Sequence, residues 1–399
     1  MNQPPVGRVT LGIIAREWTR LGVTGFGGPP AHIAMLRALC VEQKGWLAAE
    51  EFEDGIAATS LLPGPTSTQL AIFCAWRLRG TRGALLGGLC FIVPGLIIIL
   101  ALAALFLAHD SPRWVQGLAA GAGAGVPAVA VSAALALLPA SWGRVSGSRA
   151  RQARWAVYLA AGAAFGALAG QYLVAALAAG GLIEVKLRRR ANGPRPEREL
   201  PRQERRGWLP IGLPLAAGVP AVGGLGALAW VALKVGALSF GGGFVIIPLM
   251  QHDAVSTYHW MTSAQFLNAV ALGQVTPGPV VQTVSVVGYA AAGIWGGLLA
   301  AAVAFAPSFA FVIAGAPHFG RLRASATAQA FLTGAGACAI GGIAGAAIPL
   351  AIGLSHLWQA GVVLLAAVWL IALRRGVVTA LAGCGVLGVI AMLAGAPLS

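Results

Sequence analysis

Two stretches of the sequence repeat each other, and this repetition decides the fold. Residues 26–69 read FGGPPAHIAMLRALCVEQKGWLAAEEFEDGIAATSLLPGPTSTQ, and residues 240–283 read FGGGFVIIPLMQHDAVSTYHWMTSAQFLNAVALGQVTPGPVVQT. At a constant offset of 214 residues these landmarks coincide in order: Phe26, Gly27 and Gly28 with Phe240, Gly241 and Gly242; Ile33 with Ile247; Trp46 with Trp260; Phe52 with Phe266; Pro63, Gly64 and Pro65 with Pro277, Gly278 and Pro279; and Gly83 with Gly297. Shared composition does not explain aromatic residues and a PGP motif in the same order. We therefore predict two homologous halves: repeat one at residues 1–185, a basic linker at 186–223 and repeat two at 224–399.

The composition indicates a membrane protein. Hydrophobic residues make up 58% of the chain and charged residues only 10%, whereas about a quarter of the residues of a soluble domain are charged. Apolar runs of about 20 residues are long enough to span a bilayer as helices. Such runs occupy residues 84–108, 114–139, 296–316 and 326–350, and pairs of shorter helices are predicted within 155–185 and 358–393. The predicted fold class is an all-α polytopic membrane protein.

The basic residues predict how the chain is inserted. Nine of the 27 basic residues lie between Lys186 and Arg206, and most others lie in short connections, as the positive-inside rule expects of cytoplasmic segments. This pattern favours a cytoplasmic linker over a nucleic-acid-binding surface. Matching loops of the two repeats fall on opposite sides, so we predict inverted-topology repeats. One further crossing must then precede repeat two, and residues 208–223 are the candidate.

Each repeat is predicted to contain interrupted or re-entrant helices. Pro and Gly in the glycine run and in the PGP motif should break a helix and let another begin. The new helix presents free N–H groups and the positive end of its dipole, which suits an anion. The candidate substrate-binding residues are Phe26, Gly27, Gly28, Arg37, Pro63, Gly64, Pro65, Thr66, Ser67, Thr68, Gln69, Phe240, Gly241, Gly242, Gly243, Pro277, Gly278, Pro279, Gln282 and Thr283. The alternative is a pair of proline kinks in which Ser and Thr satisfy the freed carbonyls.

Charged residues near these motifs have two interpretations. Glu51, Asp54 and Asp253 are candidates for proton coupling, because an ionisable group at membrane depth is costly and usually functional. Glu50 and Glu53 favour the other interpretation, a solvated amphipathic helix. Arg77 lies about 16 Å from Thr66 along a helix, so it is a candidate gate, while Arg37 could attract a dianion. His32, which aligns with Ile246, could titrate near neutral pH or could simply be hydrogen-bonded.

The quoted stretches, together with WRLRGTRGALLGGLCFIVPG after the first PGP motif, resemble the chromate transporter family and its two-domain, long-chain members. The resemblance implies export of chromate across the bacterial inner membrane, and hence chromate resistance. It also implies sulfate as a possible competitor or substrate. The second repeat departs from the pattern at Gly243, where the first has Pro29, and at Val280 and Val281, where the first has hydroxyls. A symmetric contribution of the two repeats to the site is therefore in doubt.

Other functions remain as alternatives. A carrier of sulfate or another oxyanion is the first, and an intramembrane enzyme acting on lipid is the second. The sequence has no HExxH, GxSxG or P-loop motif, so we predict a secondary transporter and not an enzyme, without metal or cofactor. The predicted partners are chromate and the lipid bilayer, and a homodimer is left open.

Overall fold

The structure is a computed structural model that describes residues 9–60, 62–108, 112–191, 224–239 and 245–397. Within these ranges all regular secondary structure is helical. The helices are α1 (Leu11–Thr24), α2 (Gly28–Arg37), α3 (Ala49–Thr59), α4 (Thr66–Phe106), α5 (Arg113–Gly143), α6 (Arg149–Leu168), α7 (Leu173–Ala191), α8 (Leu225–Leu238), α9 (Ile247–Gln251), α10 (Ser263–Val275), α11 (Thr283–Gly315), α12 (Phe319–Ala324), α13 (Ala326–Ile352), α14 (Leu357–Ala367) and α15 (Val377–Leu393). The predicted crossing at 208–223 and the glycine motif at 240–243 lie outside the described residues.

Several of these helices have the length and composition of membrane spans. Among the described residues, five segments are long and apolar enough to cross a bilayer: Thr66–Phe106, Arg113–Gly143, Gly170–Arg190, Val280–His318 and Ala326–Ile352. Helices α8, α14 and α15 are shorter and also apolar. The chain is therefore an all-α polytopic membrane protein, as its composition predicts.

Helix α4 is not one straight rod but folds back on itself. A Cβ built on Gly88 would lie 2.9 Å from Cγ1 of Ile72, although sixteen residues of straight helix would separate them by about 24 Å. The reversal occurs at Arg79 and Gly80, where Gly80 has φ 60° and ψ −149°. That backbone conformation is essentially restricted to glycine. We call the two parts α4a (66–78) and α4b (81–106).

Helix α11 reverses in the same way. Ala292 and Gly293 have φ/ψ of −153°/32° and 63°/−154°, which match Arg79 and Gly80 at −143°/24° and 60°/−149°. A Cβ built on Gly288 would lie 2.4 Å from the carbonyl oxygen of Gly296, across the reversal. We call the two parts α11a (283–291) and α11b (294–315).

The half-helices α4a and α11a each complete a helical hairpin. Helix α3 runs antiparallel to α4a, because a Cβ built on Gly55 would lie 2.5 Å from the Phe73 ring and because Glu51 forms an ion pair with Arg77. We call α3 and α4a hairpin one, with tip one at Pro63, Gly64 and Pro65. Helices α10 and α11a form hairpin two, with tip two at Pro277, Gly278 and Pro279. The two PGP motifs interrupt the chain as predicted.

The equivalence between the repeats shifts by one residue after the tips. Up to the tips the offset of 214 holds in backbone conformation: π-helical turns occupy Ala38–Gln43 and His252–Thr257, and the left-handed Gly45 (φ 57°) matches His259 (φ 53°). After the tips the reversals coincide at an offset of 213. Repeat two begins its half-helix with a 3₁₀ turn, Val280–Gln282, which rises more per residue than an α-turn and so needs fewer residues. Matching Gly83 with Gly297 was therefore wrong, because Gly83 is equivalent to Gly296.

The last helices of each repeat pack on the other repeat. Helix α15 packs along α5, and α6 and α7 pack along α13. The contacts are made by small residues: a Cβ on Gly121 would lie 2.1 Å from the Cys384 carbonyl, and one on Gly162 would lie 1.9 Å from the Cys338 carbonyl. Small residues permit this close approach of helix backbones within a bilayer. The repeats are thus intertwined and share one large apolar core.

We call the end of each hairpin that lies away from its PGP tip the base. The bases of the two hairpins lie at opposite ends of the molecule. The base of hairpin two adjoins Gly293, where α11b begins. Helix α11b then extends about 33 Å, and the residues after its end, Ala316 and Phe319, line a cavity together with Glu51 and Arg77 at the base of hairpin one. In the same way Phe106, at the end of α4b, lines a second cavity with Thr262 and Gln265 at the base of hairpin two. We call these spaces cavity one and cavity two.

Candidate anion site between the hairpin tips

The two hairpin tips are tied to the helix breaks of the opposite repeats. The Gly64 amide of tip one donates a hydrogen bond of 3.2 Å to the Ser239 carbonyl, and the Gly278 amide of tip two donates one of 2.9 Å to the Gly25 carbonyl. Gly64 and Gly278 are equivalent positions, as are Gly25 and Ser239. Both tip glycines have positive φ, 127° and 99°. The same contact is therefore made twice, once by each repeat.

The second long helix of each repeat also packs against the opposite tip. A Cβ built on Gly95 of α4b would lie 2.1 Å from the carbonyl oxygen of Pro277 in tip two. In α11b the equivalent position is Ser308, whose Oγ would lie 3.2 Å from a Cβ built on Gly64 in tip one. Both positions follow a proline within the helix, Pro94 and Pro307. The interrupted segments of each repeat thus meet the other repeat at the centre of the molecule.

Tip one carries a cluster of buried polar side chains. Ser67, Thr68 and Gln69 form the first turn of α4a and are 0–2% exposed. The Gln69 amide donates to the Pro63 carbonyl at 2.7 Å. His32, which is 1% exposed, places Nε2 at 2.8 Å from the Gly25 carbonyl and Nδ1 at 3.1 Å from Ser67 Oγ. Because a carbonyl can only accept, Nε2 carries the proton, and in the neutral ring Nδ1 accepts from the Ser67 hydroxyl.

Tip two has a different first turn. Val280 and Val281 are buried there, and the Thr283 hydroxyl donates to the Val280 carbonyl at 2.8 Å. Gln282 reaches across to the other repeat, where its amide donates to the Ile92 carbonyl of α4b at 2.7 Å. Tip two is therefore fixed to α4b by a side-chain hydrogen bond, whereas the equivalent Gln69 bonds within its own hairpin.

Several polar atoms at the tips have no hydrogen-bond partner among the described residues. Around tip one they include Thr68 Oγ1, Gln69 Oε1, Ser239 Oγ and Ser308 Oγ, and in hairpin two they include Gln282 Oε1 and Ser285 Oγ. Each of these residues is 0% exposed. Burial of an unpaired hydroxyl costs about 1–3 kcal/mol, so a cluster of such groups indicates a site that is completed by something else. Hydroxyl groups and the N–H groups that begin α4a are donors suited to an oxyanion.

The remaining predicted binding residues of repeat one are not among the buried polar side chains of the tip. Gly27 and Gly28 have φ of 100° and 71° at the break between α1 and α2. A Cβ built on Gly28 would lie 3.8 Å from Val280 Cγ2, so this break adjoins hairpin two. Phe26 is 45% exposed and so is not part of the buried cluster. Thr66, half-buried, is the first residue of α4a.

The predicted charged residues lie away from the tips. Arg37 forms ion pairs with Glu53 at 3.3 Å and Glu42 at 3.6 Å, and all three side chains are well exposed. The structure therefore does not bring Arg37 to the tips. Arg77 pairs with Glu51 at the base of hairpin one.

Asp253 lies on the π-helical turn after α9 and is 6% exposed. Its carboxylate pairs with Lys234 of α8 at 2.5 Å. Asp54 lines cavity one together with Glu50 and Glu51, as expected of residues on one helical face.

Cavity one and cavity two are built from equivalent positions. Cavity one has a volume of about 860 Å³ and is lined by Glu50, Glu51 and Asp54 of α3. Cavity two has a volume of about 420 Å³ and is lined at the same positions of α10 by Ala264, Gln265 and Asn268. Phe319 in cavity one likewise matches Phe106 in cavity two. The buried tips lie between two cavities that approach from opposite ends.

Two residues of this site were missed in the sequence. Ser239 precedes the second glycine run and Ser308 lies in the middle of an apolar span, where a single serine carries little signal. The Pro94 and Pro307 pair, at the offset of 213, would have marked Ser308 as a position facing a tip. His32 was noted, but its contact with Ser67 depends on the way α2 folds back onto α4a.

The fold and the site define a polytopic helical membrane protein with interrupted helices that meet at its centre. The family model described as "Chromate transporter" matches residues 13–185 and 226–389. The chain belongs to the chromate transporter family.

The sequences of individual relatives support membership of this family. The chain is 33% identical over 350 residues to the chromate transport protein of Cupriavidus metallidurans, covering 86% of this chain and 83% of the relative. It is 30% identical to the probable chromate transport protein of Synechococcus elongatus, covering 84% of each chain. It is 29% identical to the chromate transport protein of Pseudomonas aeruginosa, covering 84% of this chain and 80% of the relative. No solved structure matches the chain.

Proposed function

We propose that this protein exports chromate from the cytoplasm as a secondary transporter and so confers chromate resistance. The observation that carries the proposal is the cluster of buried, unpartnered hydroxyls at the N-terminus of α4a, held between the two repeats. Its membership of the chromate transporter family supports the substrate. Chromate is a tetrahedral dianion, and sulfate has the same shape and charge, so sulfate is the alternative substrate.

The proposed binding mode uses neutral donors. The N–H groups of the first turn of α4a and the surrounding hydroxyls replace the water around the anion. The dipole of α4a adds a partial positive charge at the same point. With no lysine or arginine at the tips among the described residues, the anion is held without a fixed full charge that would slow its release.

The proposed transport cycle alternates access between the two cavities. Hairpin one and hairpin two enter from opposite ends, and their tips are buried between cavity one and cavity two. Relative movement of the two repeats would open the tips to one cavity at a time, as in other transporters built from inverted repeats. The structure corresponds in this scheme to a closed form.

The proposed orientation puts the base of hairpin one in the cytoplasm. Arg77, Arg79 and Arg82 cluster at that base, and Arg321 and Arg323 of α12 lie in the sequence just after α11b. The positive-inside rule assigns such an end to the cytoplasm. The two halves are then inverted repeats in the inner membrane, with the basic linker cytoplasmic. This arrangement requires one further crossing, for which residues 208–223 remain the candidate predicted from the sequence.

The membrane potential can drive this export. A dianion leaving an inside-negative cell gains about 2.3 kcal/mol per charge per 100 mV, or about 4.6 kcal/mol for both charges. Exit is thus favourable without a coupling ion. Asp253, Glu51 and Asp54 remain the candidates for proton coupling should a pH gradient also contribute.

The test is chromate flux in proteoliposomes that contain the purified protein. A potassium diffusion potential and a pH gradient are imposed separately. We expect flux driven by the potential, negative on the chromate side, and a smaller effect of the pH gradient. Counterflow of labelled chromate against sulfate ranks the two substrates. Wild-type protein that moves neither anion would overturn the proposal.

A variant links this flux to the tips. In Gly64→Ala, the added Cβ would lie 2.4 Å from Gln69 Nε2 at a φ of 127°, so tip one must distort and flux should fall at least tenfold. Gly361→Ala is the matched control, because a Cβ there meets nothing within 4 Å. Equal chromate flux in Gly64→Ala and Gly361→Ala would contradict a role of tip one in transport.

A further inference from the structure

The two tips of this molecule are built on the same backbone but carry different side chains. Five polar positions around tip one have counterparts at tip two, and each counterpart lacks the polar group. The pairs are His32 with Ile246, Ser67 with Val280, Thr68 with Val281, Ser239 with Gly25, and Ser308 with Gly95. The first and fourth pairs follow the offset of 214, and the other three follow the offset of 213 that applies after the tips.

We infer that the protein holds a single oxyanion per chain, at tip one, and that Ser308 and Ser239 of repeat two complete this site from across the repeat interface. Tip two serves as the fixed scaffold and binds no anion. The inference rests on the proposed function and names the site within it. It also assigns a role to two serines that lie outside both PGP motifs.

Tip one also has more space for a polar side chain than tip two has. At tip two, Gly95 approaches Pro277 so closely that an added Cβ would lie 2.1 Å from its carbonyl oxygen and 2.7 Å from Gln282 Oε1. No side chain can enter there. At tip one the equivalent position accommodates the whole Ser308 side chain, with its Oγ near Gly64. Tip one therefore has room for a polar group where tip two is closed by backbone contact.

The hydrogen bonds of the two tips also differ. Gln282 joins tip two to the Ile92 carbonyl of α4b, so an anion at tip two would have to displace an established bond between the repeats. At tip one the hydroxyls of Thr68, Ser239 and Ser308 have no partner among the described residues. A hydroxyl can donate its only proton to an oxyanion without losing another bond. Thr68 lies in the first turn of α4a, which is thirteen residues long (66–78). Ser308 Oγ lies near Gly64 of tip one, and Ser239 accepts a hydrogen bond from the Gly64 amide through its carbonyl.

His32 acts at tip one as a positioning residue. Its ring connects the Ser67 hydroxyl to the Gly25 carbonyl, and that carbonyl also accepts from Gly278 of tip two. His32 therefore sets the position of the first turn of α4a relative to the opposite tip. Ile246 at the equivalent place offers no hydrogen bond.

Binding stoichiometry tests the inference directly. Labelled chromate and labelled sulfate are bound to the purified full chain, at saturation, by equilibrium dialysis. We expect one anion per chain. Two anions per chain would overturn the inference while leaving the proposed function intact, whereas a chain that neither binds nor transports either anion would overturn the proposed function itself.

Matched variants locate the site. Thr68→Val keeps the side-chain shape and removes the hydroxyl, and Ser308→Ala does the same in repeat two. Each loses a hydrogen bond to a charged ligand, so the anion Kd should rise about tenfold or more. Thr68→Ser, which keeps the hydroxyl, should bind within about threefold of wild type, so a loss in Thr68→Val cannot be ascribed to misfolding alone.

Two control variants also remove or add a hydroxyl group, but they do so in hairpin two and not around tip one. Ser285 is a serine of the same helix, α11, that is also 0% exposed and whose Oγ also lacks a partner among the described residues, yet it lies on α11a of hairpin two and not around tip one. Ser285→Ala should leave the Kd unchanged, and so should Val281→Thr, which adds a hydroxyl at tip two. Unchanged binding in both Thr68→Val and Ser308→Ala, or tighter binding in Val281→Thr, would contradict the inference.

Discussion

Cavity one and cavity two occupy equivalent places at opposite ends of the molecule, but charged side chains line cavity one and uncharged side chains line cavity two. Cavity one presents Glu50, Glu51 and Asp54, whereas cavity two presents Ala264, Gln265 and Asn268 at the same positions. The tips differ as well, since tip one carries polar side chains where tip two has apolar residues or glycine. The two repeats therefore share a backbone conformation but carry different side chains at equivalent positions. A functional role assigned to a residue of one repeat does not by symmetry apply to the equivalent residue of the other.

The largest expected difference between the two halves concerns one ion pair in each half, which is buried in repeat two and partly exposed in repeat one. Arg20 and Lys234 are equivalent positions on α1 and α8. Arg20 pairs with Glu17 of its own helix and their side chains are 57% and 10% exposed, whereas Lys234 pairs with Asp253 of another helix and their side chains are 14% and 9% exposed. Asp253→Asn would leave a buried ammonium without its partner and should cost about 3 kcal/mol. Glu17→Gln leaves an arginine that already reaches solvent, so it should cost under about 1 kcal/mol.

Thermal unfolding in detergent measures this difference. We expect the Tm of Asp253→Asn to fall by several degrees and that of Glu17→Gln to stay near wild type. The double variant Lys234→Met with Asp253→Leu should recover most of the loss, since it removes both charges. If the double variant is stable but its chromate flux no longer responds to a pH gradient, Asp253 has the coupling role. An equal Tm loss in Asp253→Asn and Glu17→Gln would contradict the contrast.

The next effect concerns the reversals, where the two repeats are expected to respond alike. Gly80 and Gly293 have φ/ψ of 60°/−149° and 63°/−154°, a region that costs a non-glycine residue about 1–3 kcal/mol. A Cβ at either position meets nothing within 4 Å, so the strain comes from the backbone alone. Gly80→Ala and Gly293→Ala should therefore lower the Tm by similar amounts.

Gly383→Ala is the control for these reversals. Gly383 lies within α15, and a Cβ there also meets nothing within 4 Å. Because alanine is the better helix former by up to about 1 kcal/mol, the Tm of this variant should stay the same or rise. A large loss in Gly80→Ala with none in Gly293→Ala would show that the two reversals are not equivalent in solution.

The sequence predicted more of the backbone than of the side-chain contacts. The spans at 84–108 and 296–316 lie close to α4b and α11b, and the PGP motifs break the chain where Pro and Gly require it. The packing of α5 on α15 and of α6 on α13 was not predictable, because small residues suit almost any close helix contact. The pairing of Lys234 with Asp253 was missed for a related reason, since residues nineteen positions apart meet only once α8 and α9 fold back together.

The smallest effect concerns the mouths of the two cavities. In cavity one, Arg77 pairs with Glu51, and partly exposed ion pairs contribute about 0–1 kcal/mol. Glu51→Gln removes a negative charge from this mouth and releases Arg77, so chromate entering from that end should show a KM up to about fivefold lower at low salt. The equivalent exchange at the other end, Gln265→Glu, adds a negative charge and should raise the KM for entry there by a similar factor.

Flux measured in both directions separates these two expectations, because each variant changes one mouth. The effects should fade at high ionic strength, since salt screens exposed charges beyond a Debye length of about 3 Å at 1 M. Phe52 and Phe266, which are buried at equivalent positions of the two hairpins, are retained in both variants, and the ion pair lost in Glu51→Gln contributes at most about 1 kcal/mol, so the Tm should change little. If Glu51→Gln lowers and Gln265→Glu raises the KM for entry from the same end, the two mouths do not serve opposite sides, and the inverted arrangement of the repeats would have to be abandoned.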